Sequence, residues 1–294
     1  MGAKNVVVTF QKTHLACAPP TIGDYLRSYT CSQFDHAGRA LGRCRGDAYK
    51  GIREAQEAIR QIRAALDLGR DRLGSWVGPL SIKLGRVSRS FALAREPNAV
   101  VDTISWLIRY TRDIKRRALL KHVRKQLIAK QVVMLDAFLK EEQGCKRIRA
   151  NLKRLREIAT SLHWDSVSPE SVASAILHSQ RRVARVAENA RHLDEGPVRD
   201  RWQRCLALLE HQLIIVTSEL NASFNLDVFM MVPPYPVSAL REITDALGFE
   251  HELHSLRVAV ARASGIRGED RVQVLGLCHP QSAVRTKPQA AIRN

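Results

Sequence analysis

Apolar residues recur every three or four positions along most of the chain beyond residue 46, a pattern that predicts helices. The clearest helix is predicted from Asp47, whose side chain suits an N-cap, to Leu73. Its apolar residues form one stripe: Ile52, Ala55, Ile59, Ile62, Leu66 and Leu73. Arg53 and Arg60 lie beside this stripe, whereas Arg63 lies nearer its centre, so that its side chain must snorkel or face a groove.

Proline and glycine residues separate this helix from the helical segments that follow. Those segments are predicted at about 79–94, 97–139, 146–157, 169–193, 197–220 and 237–263. The apolar but proline-broken stretch 221–236 is predicted to be a packed connection. Residues 1–46 show little periodicity and are predicted to form an irregular arm, in which residues 5–10 favour a short strand. The last 25 or so residues have no long period and are predicted to be a tail, so the pattern indicates an all-α protein.

Positive charge dominates the 294-residue chain, which has 47 Lys and Arg against 29 Asp and Glu and a net charge of +18. A surplus of this size favours a phosphate-rich polymer or an anionic surface as partner. The cations are clustered, since residues 109–130 hold nine Lys and Arg with one acid, Asp113. Helix surfaces usually alternate charges to gain i,i+4 pairs, so a run of one sign repels itself until an anion neutralises it.

Several features indicate the compartment. The sequence lacks the run of about 18 apolar residues that a transmembrane helix needs. Its first residues do not combine an apolar segment with a small-residue cleavage site, so no secretory signal is predicted. The six cysteines lie far apart without a CxxC motif, which is typical of reducing compartments. We therefore expect free thiols and a cytoplasmic protein.

Catalytic motifs are missing from the sequence, which has no GxxxxGK[ST], no GxGxxG after a strand and no GxSxG. His251 and His254 stand at i,i+3 spacing, which is not the HExxH pattern of a zinc helix. The basic stretches hold too few acids to bind Mg²⁺ for phosphoryl chemistry. We expect a protein that is not an enzyme and that uses neither a cofactor nor a metal.

Nucleic acid is the usual partner of a chain with this charge. Aromatic residues make up only 5% of the chain, however, and single-strand binding relies on aromatic stacking. Neither a helix-turn-helix nor a zinc-finger spacing is present. The abundance of arginine suits multidentate contacts with phosphate groups, so the sequence favours a receptor for polyanions that recognises charge density.

Four segments resemble motifs of the CHAD family (conserved histidine α-helical domain). Residues 53–66 fall on the family pattern HxxRVAxRRxRAxL, and residues 84–93 fall loosely on LGxxRDxDVL. Residues 201–211 lie where the second HxxR helix would be, and residues 240–257 are similar to LxxLQDxLGxxNDxxVLR, the most specific match of the four. Arginines stand at both histidine positions, Arg53 and Arg201, so the chain resembles a divergent member.

The resemblance covers about 47–268 and implies two antiparallel helical bundles related by a pseudo-twofold axis, with halves at about 47–165 and 169–268. The irregular N-terminal arm 1–46 would precede this domain, and the tail 269–294 would follow it. The resemblance also implies a basic groove or pore between the bundles that binds inorganic polyphosphate. By motif position, the expected polyanion contacts are Arg53, Arg60, Arg63, Arg201, Arg204 and His211. Charge alone adds Arg86, Arg89 and Arg182.

Two other functions stay open. Some family members are associated with polyhydroxyalkanoate storage granules, so the resemblance also allows a structural or interaction protein that coats granules. An exposed apolar patch, for example at residues 224–232, would favour this alternative. General binding of nucleic acid by surface charge is the other alternative, and it predicts comparable affinity for duplex DNA and for polyphosphate of equal charge.

Overall fold

The computed structural model describes residues 20–43, 48–140, 143–192, 196–220, 237–263 and 265–278. Within these ranges all regular structure is helical. The helices are α1 Ile22–Gly42, α2 Ala48–Leu68, α3 Val77–Ser90, α4 Ala92–Tyr110, α5 Ile114–Lys140, α6 Gln143–Thr160, α7 Pro169–His192, α8 Gly196–Ile214, α9 Val237–Ala261 and α10 Gly268–Leu277. A 3₁₀ turn at Trp164–Ser166 precedes α7, and α8 continues as a π-helical segment at Ile215–Leu220. The all-α prediction is confirmed.

Helix α1 corrects the prediction of an irregular arm over residues 22–42. It begins with a capping box, in which the Asp24 backbone N–H donates to Thr21 Oγ1 and the Thr21 N–H donates to Asp24 Oδ2, both at 3.1 Å. The buried face of α1 includes small or polar side chains such as Gly23, Thr30 and Ala40. The same face carries Leu26, Phe34 and Leu41 at helical spacing, so the apolar signal is present in the sequence but is interrupted at Thr30. The strand favoured at residues 5–10 lies outside the described residues.

Helix α10 corrects the prediction of a tail over 269–294 as far as residue 278, and the rest of that segment lies outside the described residues. Val274 and Cys278 are completely buried at its end. The predicted segment 97–139 is also two helices, because α4 begins at Ala92 and ends at Tyr110 before α5 starts at Ile114. Asp113 accepts the Arg116 backbone N–H at 3.0 Å, and it therefore caps the start of α5. The predicted connection 221–236, with the apolar patch 224–232, lies outside the described residues.

Consecutive helices pack as hairpins, notably α1 with α2, α4 with α5, and α7 with α8. They enclose two apolar cores. The larger core joins α1, α2, α3 and α6 to α7 and α8, with buried residues that include Leu26, Ile59, Leu84, Val172 and Leu206. The smaller core joins α4 and α5 to α9 and α10, with buried residues that include Ile104, Leu120, Val123, Leu256 and Val274. Each core therefore combines residues from before and after residue 169, while the pseudo-twofold relation stays a prediction.

None of the described helices is both long enough and apolar enough to cross a membrane.

Candidate polyanion-binding site

Helices α2 and α8 pack against each other within the larger core. The α2 side chains that fill this core are small or branched, and Ala55, Ala58 and Ile62 are essentially inaccessible to solvent. Positions three and four residues apart share a helix face, so the polar residues of α2 that flank this stripe line the edge of the packed interface.

Four arginines from four different helices meet at this edge. Arg63 lies on α2, Arg89 near the end of α3, Arg182 on α7 and Arg204 on α8. Burial lowers the pKa of Arg63, and repulsion from the other three arginines lowers it further, whereas the Asp67 carboxylate raises it. We call these four residues the arginine cluster.

Asp67 supplies negative charge to the arginine cluster. Its side chain is only 8% exposed, and one carboxylate oxygen lies 2.6 Å from Arg70 Nη2 while the other lies 3.6 Å from Arg182 Nη2. Gln212 on α8 donates from Nε2 to the same carboxylate at 3.0 Å. One carboxylate cannot neutralise the four arginines of the cluster together with Arg70, so the region keeps a positive surplus.

Several nitrogens of the arginine cluster are buried without a hydrogen-bond partner among the described residues. They are Nε of Arg63 and both Nε and Nη2 of Arg182. A buried donor that makes no hydrogen bond costs about 1–3 kcal/mol, and more when the group is charged. The folded chain therefore carries an electrostatic cost here that an anion would offset.

A second contact between α2 and α8 joins Glu57 to His211. His211 Nε2–H donates to Glu57 Oε1 at 2.7 Å, and Nδ1–H donates to the carbonyl oxygen of Ala207 at 2.5 Å. Both neighbours are acceptors, so the imidazole is a doubly protonated cation. The hydrogen bond from His211 is the main reason that the pKa of Glu57 falls to about 2, and the nearby Arg60 charge lowers it too.

A basic groove of about 760 Å³ runs between α1 and α2 on the other side of Glu57. Its cationic lining residues are His36, Arg39, Lys50, Arg53 and Arg60. Glu54 and Glu57 also line it, and each of them is paired with an arginine: Arg43 with Glu54, and Arg60 with Glu57 at 2.7 Å. Arg39, Lys50, Arg53 and Arg60 are exposed at this groove.

The structure places the expected contact residues in three locations. It brings Arg63, Arg89, Arg182 and Arg204 together in the cluster, and it puts Arg53 and Arg60 at the α1–α2 groove. His211 lies between them through its bond to Glu57. Arg86 and Arg201 are exposed on α3 and α8 outside these contacts.

Sequence reasoning missed residues that complete the site. Asp67 stands near the end of α2, four residues after Arg63, and this helical spacing was the available signal. Gln212 and Glu57 carried no such signal because their partners lie about 150 positions away in the sequence. His36 and Arg39 were missed because α1 was not predicted.

The described residues do not bring three His, Cys, Asp or Glu side chains together in a way that could hold a metal ion. His251 instead lies 3.1 Å from Asp200, so that these two side chains connect α9 to α8.

Comparison with known proteins indicates the fold. No family model matches the sequence, and no curated protein matches it. Two solved structures are similar in three dimensions. PptA from Streptomyces chartreusis is 20% identical over 94% of this chain and all of its own, with a TM-score of 0.60. The CHAD domain from the plant Ricinus communis is 15% identical over 94% of this chain and 91% of its own, with a TM-score of 0.56. The chain therefore has the fold of a CHAD domain, in agreement with the motifs in its sequence.

Proposed function

We propose that this chain binds inorganic polyphosphate without turning it over, through the arginine cluster between α2, α3, α7 and α8. The observation that carries the proposal is that Arg89, Arg182 and Arg204 all lie close enough to Arg63 to repel its charge, while the buried Asp67 carboxylate pairs with Arg182. Three of their buried nitrogens have no hydrogen-bond partner among the described residues. The resemblance to CHAD domains, which implies polyphosphate as the ligand, supports the same proposal.

Polyphosphate suits this site for chemical reasons. Each guanidinium presents several N–H groups in a plane that match the oxygens of a phosphoryl group, and such charge-assisted hydrogen bonds are the strong ones. A linear polyanion can contact several arginines at once and release counterions, which gives a steep dependence on salt. Exposed cations at the α1–α2 groove, such as Lys50 and Arg53, offer further contacts to a long chain.

The proposal of binding without turnover rests on the state of the acidic groups. Asp67 is held by two arginines and Gln212, and Glu57 is held by Arg60 and His211. Carboxylates held by such cations are poor general bases, and the pKa of Glu57 is lowered to about 2 by its hydrogen bond from His211.

The test is a titration of fluorescently labelled long-chain polyphosphate at near-physiological salt, followed by anisotropy. The cluster variant is R63Q/R182Q/R204Q, and the matched control is K115Q/K121Q/K125Q on α5, which removes the same charge from exposed positions. We expect the cluster variant to bind more than tenfold more weakly, which is about 1.4 kcal/mol, and the control to bind within about threefold of the parent. Equal losses in the two variants would mean that diffuse charge, and not the cluster, holds the ligand.

Two further measurements complete the test. Thermal melts should show that the cluster variant is at least as stable as the parent, because mutual repulsion and unpaired buried donors have been removed. Duplex DNA matched for phosphate count should displace polyphosphate poorly, since DNA is too wide to place its phosphates against the half-buried Arg63 and Arg182. If DNA competes equally well, the protein is a general binder of polyanions.

A further inference from the structure

Helix α5 presents a mixed apolar and basic stripe to solvent. Ile114 and Val132 are 18 residues apart, which is about five helical turns, so they lie on the same side of the helix. The residues between them at three- and four-residue spacing are Ala118, Lys121, Lys125 and Ala129, and all of them are exposed. We call these six residues, with the adjacent Val133, the α5 stripe.

The apolar members of the α5 stripe are unusually open to water. Ile114 is 81% exposed, Val132 is 59% exposed and Val133 is 69% exposed. The opposite side of the helix already serves the smaller core through Leu120, Val123 and Leu127. The stripe is therefore a second apolar surface on α5, about 27 Å long at 1.5 Å per residue, and folding does not require it.

The charge around the α5 stripe has one sign. Between Ile114 and Lys140 the helix carries eight Lys and Arg and a single acid, Asp136. A second copy of the same face would be repelled by these cations. Nucleic acid would satisfy the lysines but would gain nothing from contact with isoleucine and valine. The surface that satisfies both kinds of residue is negatively charged outside and apolar just beneath.

We propose that α5 is a peripheral docking surface for anionic lipid. Ile114, Val132 and Val133 would enter the boundary between headgroups and acyl chains, while Lys121 and Lys125 extend to the lipid phosphates. This inference goes beyond the proposed function and does not depend on it. The described contacts of the arginine cluster involve α2, α3, α7 and α8, and they include no residue of α5.

The test measures binding of the full chain to sedimented vesicles. Phosphatidylcholine vesicles that contain phosphatidylserine are compared with vesicles of pure phosphatidylcholine. We expect binding to the anionic vesicles only. V132S/V133S should weaken it by about tenfold through lost apolar contact. K121E/K125E should weaken it by at least about tenfold through lost attraction to the headgroups.

Matched controls separate the α5 stripe from general surface properties. I82S/V272S removes two exposed apolar side chains, each at least as large as valine, from α3 and α10. K83E/K153E reverses the charge of two exposed lysines on α3 and α6. Both controls should bind vesicles within about twofold of the parent if the stripe is the docking surface. Circular dichroism would establish that every variant is folded.

Three outcomes would overturn the inference: equal binding to neutral vesicles, equal losses in controls and stripe variants, or no vesicle binding by the parent. A pull-down without lipid would also count against the inference if the parent bound an acidic protein and the stripe variants lost that binding. The proposed function fails separately, because R63Q/R182Q/R204Q should lose polyphosphate and keep vesicles, whereas V132S/V133S should lose vesicles and keep polyphosphate.

Discussion

The contact between Glu57 and His211 makes a prediction about stability and pH. Glu57→Gln removes one negative charge between α2 and α8 and leaves an amide oxygen that can still accept from His211. In the parent, the hydrogen bond from His211 is the largest cause that lowers the pKa of Glu57 from 4.5 to about 2. Burial alone would lower the pKa of His211, but the hydrogen bond and the charge of Glu57 outweigh burial and raise it above 6.5.

The lowered pKa of Glu57 and the raised pKa of His211 define the pH range in which the ion pair stabilises the fold. A carboxyl whose pKa is lowered contributes fully above its unfolded value of 4.5, and it loses that contribution as the pH falls toward 2. An imidazole whose pKa is raised contributes fully below its unfolded value of 6.5, and it loses that contribution as the pH rises through its folded pKa. The pair therefore stabilises the folded state most between pH 4.5 and pH 6.5, and less in alkaline solution.

The size of the effect follows from the shift. A change from 4.5 to about 2 corresponds to roughly 3 kcal/mol at 1.36 kcal/mol per pKa unit. The Glu57 side chain is 43% exposed, so screening by water reduces this figure to about 1–2 kcal/mol. We expect Glu57→Gln to lower the free energy of unfolding by that amount near about pH 5.5 and by clearly less near about pH 9.

Urea unfolding curves at both pH values measure the effect. Glu157→Gln, at an exposed position on α6, is the control, and it should change stability by less than about 0.5 kcal/mol at either pH. A loss for Glu57→Gln that is the same at both pH values would show that the contact contributes through packing and not through charge.

Two further predictions concern particular side-chain environments. A Cβ atom on Gly23 would lie 1.7 Å from the carbonyl oxygen of Trp164, so Gly23→Ala should lower the free energy of unfolding by about 2 kcal/mol or more. On the same helix Gly38 has nothing within 4 Å of such a Cβ, and Gly38→Ala should raise stability by about 0.5–1 kcal/mol in the same urea curves. Asp67→Asn should lower the unfolding free energy by about 3 kcal/mol because it leaves buried arginine charge uncompensated. The exposed Asp71→Asn is its control, and equal melting temperatures of the two variants would contradict the role of Asp67 as counter-ion.

Helix α2 was predictable because its own sequence carries the information. Its apolar stripe alone indicated a helix over residues 47–73, and the structure has Ala48–Leu68. The position of Arg63 near the centre of that stripe indicated a side chain that must snorkel or face a groove, and it lies half-buried beside Arg182. In both cases a local pattern was sufficient, since a helix fixes the relative directions of its own side chains.

Helices α1 and α10 were not predictable in the same way. In α1 the apolar stripe of Leu26, Phe34 and Leu41 is interrupted by Thr30, and Gly23 fits there because the carbonyl of Trp164 approaches closely. Helix α10 has only ten residues, and it is held by the burial of Val274 and Cys278 against α5 and α9. Tertiary packing decides such helices, and a single sequence does not contain it.

In the candidate site, too, some features follow from the local sequence and others only from tertiary packing. Arg86 and Arg89 lie three residues apart on α3, and charge alone could not distinguish them. In the structure Arg89 contributes to the repulsion that lowers the pKa of Arg63, after the larger effect of burial. The acidic partners Glu57 and Asp67 carry no signal in a pattern of positive charge, although they pair with Arg60 and Arg70 in the structure.

The arginine cluster is difficult to explain as a contribution to folding. Buried ionic groups can usually be replaced by apolar residues with no loss of stability, and often with a gain. Here three arginines lower the pKa of a fourth, and buried guanidinium nitrogens stay without partners among the described residues. Such an arrangement costs stability in the free protein, and a bound anion would offset that cost. The thermal melt of R63Q/R182Q/R204Q tests this point. If the cluster serves ligand binding and not folding, this variant should be more stable than the parent and should no longer bind polyphosphate.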